Sequence, residues 1–301
     1  MRRALALVAL GLATTPALAG PPERPHGTAP ATAELVAAER AWDEAVRTND
    51  VDAWRACALA FDRAAAATTG ASHDEALYAE ILAWKAMLSV DVRVRDRDAP
   101  PPPPALDADE QAMVGAIGAY LAGGPRDDEP ELRFFRAGVL RRHGLDDAAL
   151  TDYAALVTTY PRAEVAEYAA NLLLDTLNLR GRTVELVAWA ERMRGSAELL
   201  RGRADLAEVV TRIHVISLRK QAEALEAAGD LLGCAAQYHQ AYADAPRSGD
   251  APELLWNGGW CAERGGDVRQ ARADYQRLRK RFPDSELAAR ARARLAALPA
   301  R

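Results

Sequence analysis

The chain has 301 residues, of which 50% are apolar and 27% are charged, and its formal net charge is −5 at pH 7. This composition is typical of a globular protein and excludes a disordered or collagen-like chain. The excess of acidic residues argues against nucleic acid as the main partner, because binding to phosphates requires clustered cations. Aromatic residues amount to 6%, alanine is plentiful, and no segment alternates apolar and polar residues, so we predict an all-α protein.

The N-terminus has the features of a signal peptide over residues 1–19. Two arginines are followed by a short apolar run over residues 4–13, and Ala17-Leu18-Ala19 supplies the small residues before a cleavage site. We predict cleavage after Ala19 and a periplasmic or secreted protein; the alternative is an uncleaved membrane anchor. The next residue is glycine rather than cysteine, so we expect no lipoprotein anchor. No later apolar stretch is long enough to span a membrane.

The pattern along the chain predicts two helical segments separated by a proline-rich spacer. Residues 20–32 contain four prolines and are interpreted as a flexible lead-in. Residues 33–98 form an N-terminal helical segment, with helices near 33–48, 51–68 and 73–90. Five consecutive prolines cannot be helical, so we predict an extended spacer over residues 99–105. A helical repeat domain follows over residues 106–298.

Two predicted helix starts carry a capping-box pattern. In this pattern a polar side chain at the first position and a Glu three residues later satisfy each other's backbone N–H groups. It occurs from Ser72 to Glu75 and from Asp107 to Glu110. We therefore predict helices that begin directly after Ser72 and Asp107.

The second helical segment contains an internal repeat. Three prolines are each preceded by a tyrosine eight residues earlier, a small residue twelve residues earlier and a glycine seventeen residues earlier. The sets are Pro161, Tyr153, Ala149 and Gly144; Pro246, Tyr238, Cys234 and Gly229; and Pro283, Tyr275, Ala271 and Gly266. Glycine favours the end of one helix and proline the end of the next. Each unit is therefore predicted to be a helix pair, which must stack on its neighbours to bury its apolar face.

A longer match relates residues 130–173 to residues 252–295 at a constant offset of 122 positions. Within it, Pro130-Glu131-Leu132 recurs as Pro252-Glu253-Leu254, and Tyr160-Pro161 recurs as Phe282-Pro283. So many coincidences at one offset predict two copies of one helix arrangement.

This spacing resembles the tetratricopeptide repeat. Residues 252–283 fit the family pattern best, at Gly259, Gly266, Ala271, Tyr275 and Pro283. They depart from it at Ala262 and Leu278, and the period is 37 residues where the family has 34. The form Tyr275…Leu278…Phe282-Pro283-Asp284-Ser285-Glu286…Ala288 is similar to bacterial periplasmic repeat proteins of outer-membrane assembly and to the Tol-Pal coordinator. The resemblance implies an α-solenoid of antiparallel helix pairs that binds proteins.

The sequence contains no pattern typical of a catalytic or metal-binding site. The five histidines are far apart, without a His-Glu-x-x-His pattern, and neither a Gly-x-x-x-x-Gly-Lys loop nor a Gly-x-Ser-x-Gly elbow occurs. His143 follows two arginines at a predicted helix end, where positive charge is favourable. We therefore predict no catalytic residues, no metal site and no cofactor.

The cysteines allow two interpretations. Cys234 and Cys261 fall on successive helices of the predicted stack, and the third cysteine is Cys57. In an exported protein a disulfide between Cys234 and Cys261 is one interpretation. The other is that each cysteine is a small apolar helix residue. It suits Cys234, which occupies the small position of the repeat.

Trp256 and Trp260 are four residues apart and share one face of a predicted helix. In the tetratricopeptide register they occupy first-helix positions that line the family's concave groove, with Glu253 and Glu263 beside them. One interpretation makes these four residues a partner-binding site, in which the glutamates pair with a basic or amino-terminal group. The alternative is that both tryptophans pack between repeats.

The C-terminal end is basic, with eleven Lys and Arg against four acids from residue 264 onward. Arg277, Arg279 and Arg281 form its densest run. They are candidates for contact with an acidic partner or an anionic envelope surface; the alternative is a solvated helix face.

These patterns predict a non-catalytic, exported scaffold or adaptor that binds other proteins or peptides in the bacterial cell envelope. The first alternative is a binding module for peptidoglycan or another envelope polymer. The second is an enzyme with a site that the sequence does not reveal. No nucleic-acid partner is predicted.

Overall fold

The computed structural model describes residues 32–91 and 105–299. The predicted signal peptide over residues 1–19, nearly all of the lead-in and the five consecutive prolines lie outside these residues. Within the described ranges every regular element is an α-helix. The predicted all-α class is therefore confirmed there.

The described ranges contain fourteen helices. The first seven are α1 (Ala33–Thr48), α2 (Val51–Ala66), α3 (Ala71–Val90), α4 (Ala108–Ala122), α5 (Glu129–Arg142), α6 (Asp146–Thr159) and α7 (Ala166–Leu179). The others are α8 (Thr183–Arg194), α9 (Ala197–Leu200), α10 (Ala204–Ala227), α11 (Leu231–Asp244), α12 (Ala251–Arg264), α13 (Val268–Arg281) and α14 (Glu286–Ala297). Among these helices none combines the length and the apolar character needed to cross a membrane.

The chain divides into two compact units after Asp175, which lies in α7. In the first unit each helix from α1 to α6 packs on the next, and in the second unit the same holds from α10 to α14. Apart from α3 and α4, these neighbours are joined by short turns, so they run antiparallel. The predicted stacking of antiparallel helix pairs is confirmed within each unit. The α3 helix contacts α4, so helices on both sides of the predicted spacer belong to the first unit, while the spacer itself stays a prediction.

One of the two predicted capping boxes is confirmed. The Asp107 side chain accepts a hydrogen bond from the Glu110 backbone N–H at 2.9 Å, and the Glu110 carboxylate accepts one from the Asp107 N–H at 3.2 Å. The capping box at Ser72 is wrong, because α3 already begins at Ala71 and has no side-chain cap. Gly70 precedes it with a φ of 60°, a conformation that glycine adopts at low cost. The chain therefore turns into the helix before it reaches Ser72.

The internal repeat is visible in the helix bounds. The α5 and α6 helices recur as α12 and α13 with every bound shifted by 122 residues, and α11 precedes α13 by 37. Gly144, Gly229 and Gly266 have φ values of 71°, 82° and 88°, which most side chains disfavour. These glycines end the first helix of each pair, as the sequence predicts.

Each unit has its own core. In the first unit Trp42 meets Trp54 and Phe61 edge to face, with ring centroids 5.4 and 6.0 Å apart. In the second unit Tyr238 and Tyr275 are 4% and 0% exposed and lie among small residues. Full burial of one such large side chain contributes roughly 1.5–3 kcal/mol to stability. These rings therefore fix how closely neighbouring helices approach.

A carboxyl group is buried in the core of the first unit. Glu80 on α3 is 3% exposed, and its Oε1 accepts a hydrogen bond from Trp84 Nε1 at 3.0 Å. Burial raises the pKa of Glu80 from 4.5 to about 7; the hydrogen bond from Trp84 opposes this shift and the Asp62 carboxylate adds to it. The folded unit therefore keeps this proton over a pH range in which the unfolded chain has lost it.

We expect Glu80 to make the free energy of unfolding fall as pH rises from 4.5 to about 7, because the folded state binds the extra proton there. The pKa shift corresponds to roughly 3 kcal/mol in all. Glu80→Gln keeps an acceptor for Trp84 and removes the titration. The variant should gain stability over the wild type above neutral pH and not in acid. Urea unfolding at both pH values measures this, and Glu75→Gln on the same helix is the control. An equal stability difference at the two pH values would contradict the assignment.

Candidate functional site

Helix α12 carries four of the residues predicted to bind a partner. Its buried residues include Leu254, Leu255 and Cys261, and the helix packs on α11 and α13. Trp256 and Trp260 are half-buried. They therefore lie at the edge of the buried side of α12, where α14 also contacts this helix.

A guanidinium group covers each of these tryptophans. The Arg290 Cζ atom lies 5.0 Å from the Trp256 ring centroid, and the Arg294 Cζ atom lies 5.5 Å from that of Trp260. The Trp256 ring also contacts Tyr275, with 5.5 Å between centroids. We call Trp256, Trp260, Arg290 and Arg294 the Trp–Arg face. Cations over aromatic rings are attracted to the electron-rich face of the ring, so the two arginines of α14 and the two tryptophans of α12 hold each other in place.

Glu263 stabilises the Trp–Arg face through two hydrogen bonds. It accepts a hydrogen bond from the Tyr275 hydroxyl at 3.0 Å and another from Arg294 Nε at 3.1 Å. Burial and this hydrogen bond to Glu263 both raise the pKa of Tyr275, so its hydroxyl stays protonated and able to donate. Glu263 is thus engaged within the unit.

Glu253 lies at the other end of α12 and is exposed. Its carboxylate is 3.6 Å from Arg219 Nη2, and the same guanidinium reaches Asp250 at 3.1 Å. Exposed pairs of this kind contribute little to stability. Glu253 therefore remains accessible to another molecule.

The predicted basic residues lie on a different helix and meet different neighbours. The Arg277 Cζ atom lies 5.9 Å from the Tyr242 ring centroid on α11, and Arg281 Nη1 donates to the Tyr242 hydroxyl at 3.1 Å. Arg279 and Lys280 are exposed and form no ion pair with any residue that the structure describes. We call Arg277, Arg279, Lys280 and Arg281 the α13 basic run. The structure thus brings Trp256, Trp260 and Glu263 together and leaves the three predicted arginines outside that group.

Arg290 and Arg294 are residues of the face that the sequence analysis missed. The sequence did contain a signal for them, because they follow Trp256 and Trp260 by 34 residues each. That spacing equals one tetratricopeptide period, so it places the same two positions on the next first helix.

A disulfide joins Cys234 on α11 to Cys261 on α12, with 6.0 Å between their Cα atoms. This is one of the two interpretations that the sequence leaves open. The bond links two neighbouring helices of the second unit. Cys57 has a free thiol and is buried in α2.

Two buried aspartates escaped the sequence analysis. Asp274 on α13 is 0% exposed, and its Oδ2 lies 2.6 Å from His239 Nε2 on α11. Asp152 on α6 is 1% exposed and accepts two hydrogen bonds from Arg136 on α5, both at 2.7 Å. Each aspartate directly precedes a repeat tyrosine, and the two are 122 residues apart. The repeat offset was therefore a sequence signal for both.

The two aspartates have different partners on the neighbouring helices, and one glycine accounts for the difference. The position equivalent to Arg136 in the second copy is Gly258. A Cβ there would meet His239 Cδ2 at 3.0 Å and Nε2 at 3.1 Å. Because Gly258 has no side chain, the His239 ring has space to contact Asp274. His239 links helices here, which is also the role of buried His143, whose Nε2 is 2.9 Å from Glu110 on α4.

Comparison with known proteins agrees with the repeat. Residues 253–285 match a family model described as Tetratricopeptide repeat. This segment begins in α12 and runs through α13 to the turn before α14. No curated protein matches the chain. The matched segment and the stacked helix pairs together support a tetratricopeptide-like architecture.

We expect Gly258→Ala to lower the free energy of unfolding by about 0.5–2 kcal/mol. Alanine favours a helix by roughly 1 kcal/mol over glycine, but its Cβ would push His239 away from Asp274, and a hydrogen bond to a buried charge is worth about 1.5–3 kcal/mol. Gly138→Ala is the matched control, because Gly138 lies inside α5 with nothing within 4 Å of its Cβ position. That control should gain stability. In a His239→Ala background the penalty at Gly258 should vanish, and its persistence would show that His239 is not the cause.

Proposed function

We propose that this chain is a non-catalytic scaffold or adaptor that binds protein partners through the Trp–Arg face. The proposal rests on a pair of half-buried tryptophans on the first helix of the matched repeat, covered by guanidinium groups from the next first helix. Tryptophan and arginine dominate the binding energy of many protein interfaces. Repeats of this family act as protein-interaction modules, and proteins built from them are generally non-catalytic.

The alternative view, in which the tryptophans only pack between repeats, accounts for part of the contacts. Trp256 does touch Tyr275, which is fully buried. Both tryptophans nevertheless keep part of their surface exposed to solvent. A cation over a solvent-accessible ring contributes only about 0.5–1 kcal/mol, so a partner's side chain can replace Arg290 over Trp256 at low cost. A partner with an apolar or aromatic side chain fits these rings.

The two glutamates have different roles in this proposal. Glu263 holds Arg294 and Tyr275, so we assign it to positioning the face. Glu253 is exposed beside Arg219 and is the candidate for contact with a basic or amino-terminal group of the partner. Arg290 is exposed and forms no ion pair with the residues that the structure describes, so it suits an acidic group.

We place the protein in the periplasm or outside the cell, with envelope proteins or peptides as its partners. The Cys234–Cys261 disulfide supports this location, because such bonds persist in oxidising compartments. The signal-peptide pattern over residues 1–19 supports it independently. The similarity of the Phe282–Glu286 run to periplasmic repeat proteins of outer-membrane assembly and to the Tol-Pal coordinator favours the same environment.

A second candidate function is contact with an anionic envelope polymer or surface through the α13 basic run. The observation that favours it is the exposure of Arg279 and Lys280, with no carboxylate in the described part of the chain to neutralise them. Clustered cations attract anionic surfaces over about a Debye length. Peptidoglycan or another envelope polymer would be the partner in this case.

We expect Trp256→Ala and Trp260→Ala each to weaken capture of partner proteins from a cell-envelope extract by at least about tenfold, as for other interface tryptophans. Their cost in stability should stay below the roughly 3–5 kcal/mol of a fully buried tryptophan. Capture by the immobilised full chain and urea unfolding measure the two effects.

Trp189→Ala is the matched control for this experiment. Trp189 on α8 is also half-buried in the second unit and also lies under a guanidinium, with Arg192 Cζ 4.9 Å from its ring centroid. It should leave capture unchanged. A large stability loss for both face variants with unchanged capture by the folded protein would favour the packing interpretation. Binding to purified cell wall that depends on the same tryptophans would favour the polymer-binding alternative.

Binding of the chain to purified cell wall should depend on salt if the α13 basic run makes the contact. Screening acts over about 8 Å at physiological ionic strength, so affinity should fall as salt rises. The double variant Arg279→Ser with Lys280→Ser should bind more weakly and show a smaller salt dependence. Arg47→Ser is the control, because exposed Arg47 is paired with Glu44 on α1. Binding that is independent of salt would exclude this second function.

A further inference from the structure

Three helices of the second unit bring two sulfur atoms and a carboxylate to one point. Cys234 lies on α11, Cys261 on α12 and Glu226 near the end of α10. One ligand atom of each residue lies within 4.8 Å of the other two. The cysteines are at most 1% exposed, and the Glu226 side chain is 35% exposed. The sulfur atoms are therefore shielded from solvent, whereas the Glu226 carboxylate is accessible to it.

We propose that this cluster is a redox-controlled binding site for a thiophilic divalent cation of the Zn²⁺ type. Zinc is held by thiolates at about 2.3 Å and by carboxylate oxygens at about 2.0–2.2 Å. Once the sulfur–sulfur bond is broken, small rotations of the three side chains bring their ligand atoms to these distances around one ion. Water from the side of Glu226 completes a tetrahedral site.

The charges around the cluster suit such an ion. Two thiolates and one carboxylate around a divalent cation leave one negative charge. Arg264 Nη1 donates to Glu226 Oε1 at 2.6 Å, so its guanidinium lies beside the carboxylate and offsets that charge. An outer partner of this kind also fixes the orientation of the ligand.

The chemistry takes place in two balanced steps. A dithiol reductant transfers two electrons and two protons to the Cys234–Cys261 disulfide, which gives two thiols and the oxidised, cyclic form of the reductant. The cation then displaces the two thiol protons and binds both thiolates together with the Glu226 carboxylate. An organic disulfide reverses the sequence: it re-forms the protein disulfide, is itself reduced to thiols, and releases the ion. The oxidised chain therefore holds a covalent link and the reduced chain holds a metal.

The remaining cysteine lies outside this cluster. Cys57 is on α2 in the first unit, and among the described residues it belongs to no group of three potential metal ligands. A lone thiol does not hold a divalent cation in a closed site. Cys57→Ala therefore provides a background in which only the proposed site carries free thiols after reduction.

The test is titration of the full chain with Co²⁺, which reports thiolate ligands through an intense near-ultraviolet charge-transfer band. The chain is first reduced with a phosphine, its helix content is checked by circular dichroism, and Zn²⁺ is then used to displace the cobalt. We expect the band to appear in the reduced chain, to saturate at one ion per chain and to be absent from the oxidised chain. Added organic disulfide should abolish it.

Substitutions test how each residue contributes to the Co²⁺ charge-transfer band. Cys57→Ala should leave the band unchanged, Cys234→Ser should abolish it, and Glu226→Gln should weaken Co²⁺ binding by at least about tenfold, since loss of even an outer partner costs that much. Absence of the band from the reduced wild type, loss of its helices on reduction, or unchanged affinity in Glu226→Gln would each overturn the proposal. The comparison of oxidised with reduced wild type needs no substitution. The site does not depend on the proposed protein binding, so either can fail alone.

Discussion

The Trp–Arg face depends on the packing of the Tyr275 ring against Gly259. A Cβ at Gly259 would lie 2.8 Å from Cε1 of Tyr275 and 3.1 Å from its Cδ1. The missing side chain therefore lets α13 approach α12 closely enough for this ring to be fully buried. From that position Tyr275 contacts Trp256 with its ring and Glu263 with its hydroxyl. A side chain at residue 259 would displace the ring and remove both contacts together.

The packing of Tyr275 also explains how this helical repeat forms the Trp–Arg face. Tyr275 fixes Glu263, Glu263 fixes Arg294, and Arg294 covers Trp260. The first two links satisfy polar groups that would otherwise be costly to bury. Glu263 is largely buried and holds Arg294 over Trp260, whereas Arg290 is exposed and forms no ion pair with the residues that the structure describes. The Arg294 side of the face is therefore fixed by the unit itself, and Arg290 is the guanidinium that a partner can displace from its ring at low cost.

The sequence predicts the backbone of this protein better than its polar contacts. Helix ends follow from glycine and proline, whose local backbone preferences act without knowledge of the rest of the chain. The pairing of Trp256 with Trp260 follows from helical periodicity. Glu226 and Cys261 are 35 residues apart in the sequence, and only the stacking of three helices brings them together. Ser72 illustrates the opposite error, because a local capping pattern was overridden by the turn at Gly70.

The buried aspartates show how repeats diverge without losing their packing. A buried carboxylate that lacks polar partners is strongly destabilising, and each of the two aspartates has two: Arg133 and Arg136 for Asp152, and His239 and Gln270 for Asp274. In the first copy Arg136 reaches across from the paired helix, while in the second copy Gly258 stands at that position and His239 arrives from the preceding repeat. The partner of Asp274 therefore depends on the residues at two positions, Gly258 and His239, and a single-position pattern cannot detect such a pair. This coupling explains why the family pattern predicts the helices of this chain and not the contacts that make its surface specific.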